Sequence, residues 1–71
     1  MIDKNKFRGK VVSEGLTMGN VAEMLNINPT TLHRKLSGES EFTRKEIQQL
    51  RGILNLSAED VDLIFFSEEL A

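Results

Sequence analysis

Helix start and stop signals recur along this chain about every ten to fifteen residues, and that punctuation constrains the fold more than any other feature. The best-defined start is Phe42-Thr43-Arg44-Lys45-Glu46-Ile47. Thr43 and Glu46 match a capping box, and Phe42 and Ile47 bracket it as a hydrophobic staple. Ser57 repeats the device, with Glu59 and Asp60 in the first turn, where the macrodipole favours acids, and with Leu56 placed to staple Val61. Asn28 is a strong N-cap, and Pro29 falls at the first helical position, where a missing N–H costs nothing. Asp3 and Thr17 open two further helices. Gly15, Asn26 and Gly38 suit left-handed ends, and a helix begun at Thr43 stops near Asn55. No sustained alternation and no Asn-Gly or Asp-Gly hairpin turn competes with this pattern.

The reading predicts an all-α fold of five helices in a single domain, residues 1–71. Helix one runs from about Lys4 to Glu14, with Phe7 and Val11 inward. A short second helix buries Val21, Ala22 and Leu25. The third, from Pro29 to about Leu36, turns Leu32 and Leu36 inward and leaves Thr30, Thr31, His33, Arg34 and Lys35 on other faces, with Arg34 and Lys35 expected to be exposed. Ile47, Leu50, Ile53 and Leu54 form the buried side of the fourth, and Val61, Ile64 and Phe65 that of the fifth. Phe66 and Leu70 add apolar surface at the end of the chain, the second of them in a short tail, 67–71.

Size and charge narrow the function. A chain of 71 residues with no cysteine buries only about 60% of its unfolded surface and has no disulfide to compensate. No apolar run approaches the roughly 18 residues of a membrane span, and the first residues lack the apolar stretch of a secretion signal, so an intracellular protein with no membrane partner is expected. The net charge of -2 hides an asymmetry: eight basic residues face five acids up to Lys45, giving +3, and Arg51 alone faces six acids beyond it, giving -5. Such a two-ended domain can turn a basic face to phosphates or to an acidic partner. No nucleophile, general base and orienting group occur together, so no catalytic residue is assigned and an enzyme is not expected. A single histidine without cysteine supplies no metal-ligand set, and neither a cofactor nor a small-molecule ligand is expected.

Two short helices joined by a turn of about four residues form the helix-turn-helix arrangement, here over about 17–37, with the later helices over about 43–66. The segment from Gly15-Leu16-Thr17 through Val21-Ala22-Glu23-Met24-Leu25-Asn26-Ile27-Asn28-Pro29 to Leu36-Ser37-Gly38 resembles the central signature of the Cro and lambda-repressor-like family. Ala22 in helix two, the Leu16 and Leu25 pair, Ile27 in the turn and Gly38 after helix three carry that resemblance, which extends over essentially the whole chain. It implies a small transcriptional regulator of a phage or mobile-element switch, acting in the cytoplasm of a bacterial host and binding operator DNA through helix three. It also implies a site made of Thr17, Met18, Pro29, Thr30, Thr31, His33, Arg34, Lys35 and Ser37, with Ser40 nearby.

Two positions depart from the family pattern. Met18 stands where a DNA-binding Gln is common, and Pro29 where a polar side chain is common. Neither can make the bidentate hydrogen bonds that distinguish bases in the major groove. These departures support the alternative of an antirepressor, a modulator of repression that grips the DNA-binding domain of a partner repressor with the same face, since Met adapts to irregular apolar surfaces. Met18 could equally fold back over Leu25 as core, and Arg34, Lys35 and His33 could be ordinary solvated side chains. A Cro-like operator binder is expected to dimerise, with Phe66 and Leu70 pointing to the C-terminal region, whereas a monomer suffices for an antirepressor.

Overall fold

A computed structural model describes residues 2–67. Five helices and no strand occur among the described residues: α1 (Lys4–Ser13), α2 (Met18–Met24), α3 (Pro29–Ser37), α4 (Arg44–Ile53) and α5 (Ala58–Phe65). Each begins at the cap read from the sequence. Asp3 accepts from the Lys6 N–H and Asn28 from the Thr30 N–H, while Thr17, Thr43 and Ser57 each accept from the N–H three residues on. Capping boxes close at Thr17–Asn20, Thr43–Glu46 and Ser57–Asp60. The first of these, in which Asn20 Oδ1 accepts from the Thr17 N–H at 2.9 Å, is an addition to the sequence reading.

Three of the four connections share one three-residue grammar. Gly15, Asn26 and Asn55 take positive φ (72°, 59° and 54°). The aliphatic residue that follows each one returns its N–H to the helix just ended: Leu16 to Val11 O, Ile27 to Ala22 O, Leu56 to Arg51 O, at 2.9–3.0 Å. This is the Schellman closure, in which the residue after the left-handed one satisfies an orphan carbonyl and packs inward. The next residue is already the cap of the following helix: Thr17, Asn28 or Ser57. The fourth connection, from Gly38 (φ 90°) to Thr43, is longer and carries Phe42.

The core takes its side chains from all five helices, with Phe7, Val21, Ala22, Leu50 and Leu54 fully buried and Leu32 and Ile64 nearly so. Phe42, read from the sequence as a staple for Ile47, packs against the core beside two other aromatic rings. Its ring lies 5.4 Å from Phe65 and 6.3 Å from Phe7, a trio that joins α1, α5 and the long loop, each pair adding about 0.5–1.5 kcal/mol beyond burial. The ends are tied as well: the Asp3 N–H donates to Ile64 O at 2.8 Å, and Lys10 pairs with Asp60 at 3.2 Å. The Cα radius of gyration, 11.3 Å, matches the value of about 11 Å expected for close packing at this length.

Phe66 and Leu63, with Val12 and Met24 elsewhere, remain exposed. Leu70 lies outside the described residues. No described helix is long and apolar enough to cross a membrane.

Candidate functional site

The α2–α3 pair is held as a unit from beneath. Ala22 is small enough to be fully buried where the chain turns back, and its carbonyl receives the Ile27 N–H. Leu32 and Leu36 seat α3 on the core. Their spacing leaves Thr30, His33, Arg34 and Ser37 on one exposed stripe, since positions i, i+3, i+4 and i+7 share a helix face. Ser37 Oγ donates to Arg34 O at 3.0 Å.

The structure divides the predicted site residues into groups. Thr30, His33, Arg34 and Ser37 line one groove of about 340 Å³ together with Lys4 and Arg8 of α1, and Glu39 from the following loop. Pro29 is exposed but lines a different cleft, beside Gly19, Glu23 and Ile27 at the α2–α3 turn. Thr17 is exposed and its hydroxyl serves as the α2 cap. Thr31 is half-buried. Met18 is also half-buried and packs against the core, as one of its two sequence readings had it, so only part of it is open to a partner.

Lys35 corrects the sequence reading, which placed it with Arg34 as an exposed charge. It is buried, and its Nζ lies 3.0 Å from Glu46 Oε1, 2.9 Å from Glu41 O and 5.8 Å from the centroid of the Phe42 ring. The physical reason is local and tertiary together. Lys35 is one turn beyond Leu32 and next to Leu36, so it sits on the flank of the inward stripe, where the α4 N-terminus supplies a carboxylate to receive it. Its ammonium is thereby committed inside the protein.

Lys4 and Arg8 are the groove residues that sequence reasoning missed. They had counted only towards net charge, although their i, i+4 spacing puts them on one face of α1. Among the described residues neither of them, nor Arg34, takes part in an ion pair. Lys6, Lys10 and Lys35, by contrast, are paired with Asp3, Asp60 and Glu46.

The carboxylates in those three pairs titrate low. Burial alone would raise Glu46, but the Thr43 N–H and then the Lys35 ammonium outweigh it and hold its carboxyl below the usual range. Asp3 is lowered chiefly by the Lys6 N–H, and Asp60 by the Ser57 N–H and then by Lys10. An acid whose folded-state value is depressed adds stability that is present above its unfolded value and lost as pH falls through the folded one. Stability should therefore decline as pH drops below the ordinary carboxylate range, and Glu46→Gln should make that decline shallower. Urea-denaturation midpoints at pH 7, 5 and 3 measure both effects.

No protein-family model matches the sequence, and no curated protein matches it.

Proposed function

We propose that this chain is a helix-turn-helix regulator of the Cro and lambda-repressor-like kind, acting in a phage or mobile-element switch in a bacterial cytoplasm, with α3 entering the major groove of operator DNA. The observation that carries this reading is the stripe of Thr30, His33, Arg34 and Ser37, exposed along a helix that is seated by its opposite face and preceded by a short capped partner. Hydroxyls and a guanidinium are suited to base edges and phosphates. The sequence resemblance over Gly15–Gly38 supports it independently.

The test is fluorescence anisotropy of the purified chain with duplex DNA from upstream of its own gene, alongside light scattering. Expected are saturable binding that weakens steeply with salt and a dimer on the operator, with exposed Leu63 and Phe66 the described apolar residues available at the C-terminal end. No binding at low salt would overturn the reading.

The antirepressor reading is favoured by one separate observation. The cleft at the α2–α3 turn gathers Pro29, Ile27 and Gly19, and Met24 stands exposed at the end of α2. DNA binding lost or gained only when a neighbouring repressor is added would select it.

A further inference from the structure

Of the nine cations, three on α4 (Arg44, Lys45 and Arg51) are exposed and neither line the groove nor join an ion pair among the described residues, and the other six fall into two sets. Lys6, Lys10 and Lys35 are each neutralised by a carboxylate at 3.0–3.3 Å. Lys4, Arg8 and Arg34 are exposed, converge on one groove between α1 and α3, and have no ion-pair partner among the described residues. Like charges left together in one groove repel, and an anion laid along it relieves that repulsion.

The lining says what kind of anion. Thr30 adds a neutral hydroxyl donor, the Ser37 hydroxyl proton is given to Arg34 O and leaves its oxygen as an acceptor, Leu36 is the one aliphatic side chain, and there is no Phe, Tyr or Trp. Protein interfaces are enriched in Tyr, Trp, Phe, Met and Arg, of which this groove has only Arg, whereas phosphate contacts are made by Lys, Arg, Ser and Thr. We propose that the α1–α3 groove grips the phosphodiester backbone of DNA, with Lys4 and Arg8 supplying a sequence-independent hold beside the reading stripe of α3. The inference rests on the reading that α3 faces DNA, and it adds a role for a helix outside the α2–α3 pair. Glu39, the single acid on the groove, opposes the phosphate and limits the strength of the hold.

The experiment compares wild type, the double variant Lys4→Gln/Arg8→Gln, and Glu39→Gln by anisotropy, on the upstream duplex and on a random duplex of equal length, between 50 and 200 mM salt. The double variant should lose affinity by a similar factor on both duplexes. Its slope of log K against log salt should shrink by about two, at about 0.9 per phosphate contact. Its helical circular dichroism should be unchanged, because both side chains are exposed. Glu39→Gln should bind both duplexes more tightly. Inorganic phosphate should compete no better than chloride at equal ionic strength, and half-displacement at millimolar phosphate would instead mark a free-phosphate site and overturn the proposal. If wild type binds while the double variant keeps its affinity and salt slope, the groove assignment fails and DNA reading by α3 stands. A loss confined to the upstream duplex also overturns the assignment. If wild type binds neither duplex, both readings fall, and polyglutamate binding that disappears in the double variant would make this an acidic-peptide groove.

Discussion

Lys35→Ala should lower the stability of the folded chain by about 3 kcal/mol, a large share of the roughly 5–15 kcal/mol that holds a domain together. The ammonium it removes lies against Glu46, Glu41 O and the Phe42 ring, and the paired side chains are only 10% and 15% exposed. Deleting one partner of a buried pair leaves the other charge desolvated without compensation, which costs about 3–5 kcal/mol, and residual exposure here puts the loss near the lower end. The same Glu46 oxygen also accepts the Thr43 N–H at 2.9 Å, so the orphaned charge sits at the start of α4. The pair as a whole is a different matter. Lys35→Met/Glu46→Gln keeps the aliphatic stem and an acceptor for Thr43, and should stay within about 1 kcal/mol of wild type, since apolar replacements of buried pairs are often near neutral. Urea denaturation of the single and double variants checks both. A loss under about 1 kcal/mol in Lys35→Ala would mean that solvent screens the pair.

How much of this was legible in the sequence depends on how local each cause is. The five helix starts and the left-handed residues at Gly15, Asn26 and Gly38 were legible because a cap and the N–H it satisfies lie within three residues of each other, and a left-handed residue satisfies the helix it ends. The inward stripes were legible for the same reason, since Leu32 and Leu36 declare their face by spacing alone. Lys35 was not, because its burial depends on a carboxylate presented by another helix, although its place beside Leu36 and one turn after Leu32 was a signal. Phe42 was legible as an apolar residue next to the cap of α4, but its aromatic partners Phe7 and Phe65 come from opposite ends of the chain. Lys4 and Arg8 announced a common face on α1, and only tertiary packing brings that face beside α3.

The burial of two side chains changes which substitutions probe function cleanly. An Arg34→Ala/Lys35→Ala double variant, reasonable if both were exposed, would confound lost binding with lost stability. Met18→Glu has the same defect, because Met18 packs against the core and a charge there would be partly desolvated. Pro29 is exposed, and Pro29→Gln restores a side chain able to bond an adenine edge at the first turn of α3. It is therefore the better probe of the turn.

Arg34→Ala alone should weaken DNA binding about 5- to 150-fold, corresponding to the roughly 1–3 kcal/mol of a direct arginine contact, without loss of helical signal or stability. Three features support a clean result. Arg34 is exposed at the middle of the stripe, its side chain has no ion-pair partner among the described residues, and the hydrogen bonds its backbone carbonyl accepts from Ser37 and Ser40 survive the substitution. The pattern of loss also locates the contact. A guanidinium that forks onto a guanine edge discriminates between sequences, so the loss would be greater on the upstream duplex than on a random one. If it instead faces a phosphate, both duplexes weaken together and the salt slope falls by about one. The same variant distinguishes the regulator from the antirepressor: affinity for a partner repressor lost while DNA binding is untouched would assign Arg34 to a protein contact, where arginine is also enriched. Affinity unchanged on both duplexes, measured by anisotropy at 50 mM salt, would remove α3 from the DNA interface.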